Sequence, residues 1–180
     1  MKKKIESKIS IPAGVDCKYE NEILTCKKGV VELSRKIDIN LINISIKDNE
    51  IIIDSQKANK NNLRIAGSII AHINNIFIGL EKEFVYKLEA CNVHFPMILK
   101  LEGDKLIINN FLGEKVPRYA KILPGVKVEI KGQSITLSSH DLELAGQTAG
   151  NLEKATKIRN RDRRIFQDGI YITSKPGWDS

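Results

Sequence analysis

Slid over itself by 84 residues, this sequence matches its own pattern without a gap from Ile9 to Ser55. Pro12 falls on Pro96, Ile23 on Ile107, Gly29 on Gly113, Ile46-Lys47 on Ile130-Lys131, Ile51 on Ile135 and Ser55 on Ser139. Conservative pairs lie between them, among them Ile9 with Val93, Ile11 with Phe95, Val15 with Leu99, Ile44 with Val128 and Ile53 with Leu137. The match then resumes at an offset of 79, where Leu63 meets Leu142, Ala66-Gly67 meets Ala145-Gly146, Ile70 meets Ala149 and Ile73 meets Leu152. A period this long means two tandem copies of one small domain, not a solenoid of short repeats. The length of 180 residues accommodates two such copies.

Each copy reads the same way. Short alternating runs come first, as in Ile44 to Ile53 around Asp48-Asn49, and in Val126 to Leu137 around Gly132-Gln133. Alternation broken by turn residues predicts antiparallel hairpins. The period then becomes helical, with apolar residues at Leu63, Ala66, Ile70, Ile73 and Phe77, and again at Leu142, Ala145, Ala149 and Leu152. Ser139 is expected to cap the second helix, with Asp141 and Glu143 complementing the positive end of its dipole. Gly67 and Gly146 each cost a helix about 1 kcal/mol relative to alanine. Their equivalent positions suggest close approach of helix to sheet in both copies. The expected fold is therefore α+β: two tandem duplicated domains, residues 1–82 and 83–156, each an antiparallel sheet with one face covered by a single helix. Residues 157–180 have no counterpart in the first copy and form a basic C-terminal extension to that scaffold.

That last stretch differs in chemistry as well as in charge. Of seven arginines in the chain, four (Arg159, Arg161, Arg163 and Arg164) fall within six residues, while the remaining basic residues are almost all lysines. Guanidinium forks meet phosphate oxygens two at a time and stack on bases, which a mobile ammonium does not do. A solvated basic face is the plainer reading of any charge run. Phe166, Ile170, Tyr171 and Ile172 tip the reading toward a segment anchored to the fold and aimed at nucleic acid. The net charge of +7 likewise calls for a polyanionic partner, either nucleic acid or an anionic membrane surface. No run approaches the roughly 18 to 20 apolar residues that span a bilayer. Met1-Lys2-Lys3-Lys4-Ile5 lacks the apolar core of a secretory signal, and its lysines are expected in solvent.

No constellation carries catalysis. The sequence has no Gly-x-Ser-x-Gly elbow, no phosphate-cradling Walker loop and no dinucleotide fingerprint after a strand. Ser138-Ser139-His140-Asp141 contains the residue types of a hydrolase triad, but triads assemble from distant points in a chain. His140 is expected on the surface, and His94 at a strand end in a structural or RNA-proximal role. Cys17, Cys26 and Cys91 form no Cys-x-x-Cys pair, and with His72, His94 and His140 they give no zinc spacing. They are expected to be reduced and mostly buried in a cytosolic protein. No cofactor, metal or small-molecule substrate is implied. Trp178 lies among Pro176, Gly177 and Asp179; a loosely packed terminus is the first reading, base stacking the second.

Several stretches together resemble one family. Arg161-x-x-Arg164-x-Phe166-x-Asp168-Gly169-Ile170-Tyr171-Ile172-x-x-Lys175 is similar to the C-terminal signature of the universal large-subunit ribosomal protein six family, in its archaeal and eukaryotic branch. Older eukaryotic naming calls this family protein nine. Asn110-Phe111-Leu112-Gly113-Glu114-Lys115 and Val93-His94-Phe95-Pro96 also look like that branch. Two departures stand out: Cys26-Lys27-Lys28-Gly29 replaces a usual Gly-Pro-basic-Gly turn, and Lys154 stands where glutamine is common. The Ile-, Asn- and Lys-rich first half suggests a compact eukaryotic version.

The resemblance implies a non-enzymatic constituent of the cytoplasmic large ribosomal subunit. It would bind large-subunit rRNA near the sarcin–ricin loop, beside neighbouring ribosomal proteins and the docking place of translation-factor GTPases, with no membrane partner. By position it points to Arg161, Arg164 and Lys175 as RNA-binding residues, and to Lys115 through the loop match. Lys157, Arg159 and Arg163 join on charge, with Asn160 between them. The alternative is a free-standing RNA-binding, translation-associated module. A third reading, an RNA-modifying enzyme, would need a cofactor cradle or an acid–base pair that the sequence does not display.

Overall fold

The computed structural model describes residues 3–37, 43–47 and 49–177. Lys2, Asp48 and Trp178, each weighed above, lie outside them, and the side chains of Lys3 and Lys4 are not described. The chain divides into two compact units, residues 1–82 and 83–180.

The first unit contains β1 (Lys3–Ser10), β2 (Asp16–Glu20), β3 (Ile23–Lys28), β4 (Val31–Lys36), β5 (Asn43–Lys47), β6 (Glu50–Ala58) and α1 (Lys60–Glu81). They form two antiparallel sheets, ordered β1-β6-β5 and β2-β3-β4. The second contains β7 (Phe84–Cys91), β8 (Ile98–Glu102), β9 (Lys105–Asn109), a single 3-10 turn (Phe111–Gly113), β10 (Arg118–Lys121), β11 (Lys127–Lys131), β12 (Ser134–Ser139), α2 (Leu142–Ala155) and β13 (Gly169–Ser174). Its sheets are β10-β9-β8 and β11-β12-β7-β13.

The α+β class and the repeated sheet-and-helix plan are those the sequence implies, but among the described residues each copy has two sheets where one was expected. Alternation says which residues face a core; it does not say which strands pair, because pairing is a contact between distant residues. In the first unit Leu24 and Cys26 of β3, Ile51 and Ile53 of β6, and Ala66, Ile69, Ile73 and Phe77 of α1 are buried together. In the second, Leu106 and Ile108 of β9, Ile135 and Leu137 of β12, and Ala145, Ala149 and Leu152 of α2 do the same.

The repeat is real, but its register varies along the chain. The hairpins β5–β6 and β11–β12 correspond at the expected offset of 84, with Ile46 opposite Ile51 and Ile130 opposite Ile135. The helices correspond at 79, since Ala66, Ile69 and Ile73 occupy the buried places of Ala145, Thr148 and Leu152. The two-residue turns Asn21-Glu22 and Gly103-Asp104 instead align β2–β3 with β8–β9 at 82. A slip of two returns every side chain to the same face, so the apolar pattern still matched. For the first strands the slip is odd: Ile9 opposite Ile51 corresponds to Leu88 opposite Ile135, and Val93 lies beyond the end of β7.

Four local expectations are corrected. Asp141, not Ser139, caps α2, accepting from the backbone N–H of Glu143 and Leu144. Ser139 is still in β12, where its hydroxyl donates to Gly125 O at 2.9 Å. A Cβ at Gly146 would lie 3.0 Å from the Tyr86 hydroxyl, so the close-approach reading holds there; at Gly67 nothing lies within 4 Å. By length and composition α1 could cross a membrane, contrary to the sequence reading. Yet Ala66, Ile69, Ile73, Phe77 and Leu80 on one stripe of it are the first unit's core, so its apolarity has a partner in the fold. Leu63, expected on that stripe, is instead 59% exposed.

Candidate nucleic-acid interface

The arginine segment begins where α2 ends and finishes where β13 enters the sheet. Both ends are held. At the first, Arg118 of β10 donates from Nη1 to the carbonyls of Ala155 (3.0 Å) and Lys157 (3.2 Å). The Ala155 carbonyl lies at the unsatisfied end of α2, where a cation is favoured, and Lys157 follows just beyond its cap. The same guanidinium makes a two-pronged pair with Glu114, at 2.8 Å to Oε2 and 2.6 Å to Oε1, and lies 4.3 Å over the Phe111 ring. Hydrogen bonds from Arg118 hold the Glu114 carboxyl below its ordinary value, with smaller help from the Arg161 charge. At the other end the buried Ile170 N–H donates to Thr156 Oγ1 at 2.8 Å, and Gly169 to Ile172 pair with Cys91 to Leu88 of β7. The segment set apart as an extension thus ends as a strand of the second unit's larger sheet.

Between these anchors the chain makes one capped turn. Phe166 N–H donates to Asp162 O at 3.0 Å, and the Asp162 carboxylate accepts from the Arg164 backbone N–H at 2.9 Å. That N–H, with the Arg164 guanidinium second, lowers the Asp162 pKa. Asn160, expected among the RNA contacts, takes φ 55° as the chain enters the turn, a left-handed conformation that asparagine tolerates. Ile158 is buried and Phe166 packs on the core, and every residue from Arg159 to Ile165 between them is exposed.

The four arginines are not equivalent. Arg164 reaches back to Asp162 at 3.2 Å, an ion pair 91% and 43% exposed that competes only weakly with a phosphate. Arg161 lies 4.7 Å over the Phe166 ring, which fixes the plane of its fork. Arg159 and Arg163 have no partner among the described residues. They line two neighbouring hollows that share Lys154 and Lys157. One, of about 270 Å³, runs from Glu153 past Thr156 and Arg163 to Tyr171; the other is lined by Arg118, Tyr119 and Arg159.

Lys157, Arg159, Arg161, Arg163 and Arg164 are therefore brought to one surface. Lys115 is exposed on the loop before β10, beside the Glu114 that faces Arg118. Lys175 is half-buried beyond the far end of β13. At about 3.3 Å per residue, that strand carries it roughly 20 Å from the arginine turn. Sequence reasoning missed Arg118 and Tyr119 as members of the site. Its one available signal was that Arg118 is a lone arginine in a lysine-rich stretch.

The other groups weighed have ordinary uses. His140 lies 3.5 Å from Glu83, whose pKa is lowered chiefly by a hydrogen bond from Lys127. His94 is exposed after β7. Cys26 is buried and Cys17 half-buried, but Cys91 is exposed, correcting the expectation of mostly buried thiols. Among the described residues no cluster of His, Cys, Asp or Glu could hold a metal.

The whole chain has close relatives. Residues 95–169 match the family described as Ribosomal protein L6. Large ribosomal subunit protein uL6 of Methanosarcina mazei is 42% identical over 177 residues, which cover 97% of this chain and 99% of that one. The protein of the same name from Methanococcus vannielii is 39% identical over 173 residues, 96% and 95% of the two chains. Both are archaeal, so the eukaryotic reading of the first half gains nothing from them.

Proposed function

Because the chain belongs to the Ribosomal protein L6 family, we propose that large-subunit rRNA is clasped by the exposed basic surface running from Lys154 to Arg164. The chain is a structural constituent of the large ribosomal subunit, and its role there is binding. One observation carries the finer reading. Residues 83–153 contain eight lysines and arginines against nine acidic residues, whereas residues 154–177 contain seven against two. The second unit's net positive charge thus comes from the stretch that includes the segment the fold holds at both ends and leaves facing outward.

The mode of contact follows from the chemistry. The deep groove of A-form RNA is too narrow for side chains, so phosphates and 2′-hydroxyls are the targets. Arg159 and Arg163, with Lys154 and Lys157, offer charge at the two hollows. Arg161, its plane set by Phe166, offers two parallel N–H donors to one phosphate. Arg118 and Thr156 position the segment without touching RNA. The family resemblance supports a contact near the sarcin–ricin loop and the docking place of translational GTPases.

Binding of the full chain to an rRNA fragment, measured against salt, tests the reading. Neutralising about six phosphates gives a log–log slope of roughly −4 to −5. Replacing Arg159, Arg161, Arg163 and Arg164 by alanine should preserve the circular dichroism spectrum, weaken the slope by about 3, and prevent incorporation into large subunits. A slope near zero for the parent chain, or normal incorporation of the variant, would overturn it. For the location, factor-stimulated GTP hydrolysis should fall on subunits lacking this chain; an unchanged rate would place the contact elsewhere.

A further inference from the structure

Far from the arginine segment in sequence, Cys17 and Cys26 face each other across the β2–β3 hairpin. Their sulfurs are 2.9 Å apart, inside ordinary contact distance for two sulfur atoms. The register explains the approach. A two-residue turn makes Glu20 and Ile23 the hydrogen-bonded closing pair, and counting back in alternation makes Cys17 and Cys26 a non-hydrogen-bonded pair. Opposed α-carbons at such positions are about 4.5 Å apart, within the span that a disulfide bridges without backbone movement. Both side chains belong to the face of the hairpin that covers the first unit's core.

We propose that Cys17 and Cys26 form a reversible dithiol–disulfide site, oxidised by a low-molecular-weight disulfide of the glutathione class. The two thiols differ in the required sense. Cys17 is half-buried and reachable, whereas Cys26 is fully buried. The hydrogen bond between them, with Cys26 as donor once Cys17 has ionised, lowers the Cys17 pKa and raises that of Cys26. Cys17 is therefore the attacking thiolate and Cys26 the resolving thiol. Cys17 sulfur bonds to one sulfur of the oxidant and expels its other half as a thiolate. Cys26 then yields its proton and attacks Cys17 sulfur, expelling the second half. The pair loses two protons and two electrons, and one disulfide becomes two thiols. The resulting bond staples the hairpin and tightens the sheet β2-β3-β4.

The test uses the folded full-length chain carrying Cys91→Ser, which removes the exposed third thiol, with glutathione disulfide as the probe. We expect a mass loss of about 2 Da, two hydrogen atoms, with both thiols lost to alkylation and restored by dithiothreitol. The oxidised chain should melt several degrees higher. Adding Cys26→Ser should trap a glutathione adduct on Cys17, while adding Cys17→Ser should leave Cys26 unreacted. A stable adduct on Cys17 in the presence of Cys26, two unreacted thiols, or closure only in the urea-unfolded chain would each overturn the proposal. None of these results bears on the RNA contact.

Discussion

Arg118 holds the start of the arginine segment in place through the carbonyls of Ala155 and Lys157. Four of its five N–H donors go to the carbonyls of Ala155 and Lys157 and to both oxygens of Glu114, which leaves one N–H of Nη2. The pair has a pH signature. Because Glu114 is lowered on folding, its stabilisation is fully present above the unfolded carboxyl value of 4.5 and is lost as pH falls through the folded value. Glu114 is 40% exposed, so solvent screening keeps the contribution under about 1 kcal/mol. Urea denaturation between about pH 6 and pH 3 should show that acid-side loss in the parent chain and less of it in Arg118→Ala. Equal pH dependence in the two would mean that the pair is not coupled to folding.

At the scale of the element, the two equivalent helix glycines should part company. Gly67 faces open space on an exposed part of α1, so Gly67→Ala should stabilise by roughly 0.5–1 kcal/mol through helix propensity alone. Gly146 faces the end of Tyr86, whose ring is buried against the core, so Gly146→Ala should destabilise despite the same propensity gain. Combining it with Tyr86→Phe, which removes the obstructing oxygen, should recover part of the loss in a double-mutant cycle. Equal stabilisation by both alanines would show that Tyr86 yields freely. Another difference between the copies is β13: it makes β7 an inner strand, whereas β1, which holds the same place against β6, is an edge among the described residues. A segment that bonds along a sheet edge acquires fixed ends, and fixed ends turn a flexible basic run into an oriented one.

For the whole molecule, location matters more than net charge. Replacing the exposed lysines Lys8, Lys18, Lys27 and Lys36 of the first unit by alanine lowers the charge of +7 by as much as replacing the four clustered arginines. If the contact is the one proposed, the lysine variant should keep its salt slope within about 1, while the arginine variant loses about 3. Similar losses in both would mean that diffuse attraction, not the held segment, does the binding. Much of this was legible in advance. The doubled pattern, the hairpins around Asn49 and Gly132-Gln133, and the density of arginines are local properties of the chain. The four exposed arginines lie between Ile158 and Phe166, the two apolar neighbours that pack on the core.

What the chain's order determined by itself is whatever depends on periodicity: strand and helix faces repeat every two or about 3.6 residues, so a doubled scaffold and a basic stretch could be read directly. Tertiary structure decided the rest. The split of each copy into two sheets, the docking of β13 on β7, the capture of α2's last carbonyl by Arg118 and the meeting of Cys17 with Cys26 all depend on pairings between separate segments. Such pairings are selected by the packing of the whole core, and a slip of two residues leaves the local pattern unchanged while moving every partner.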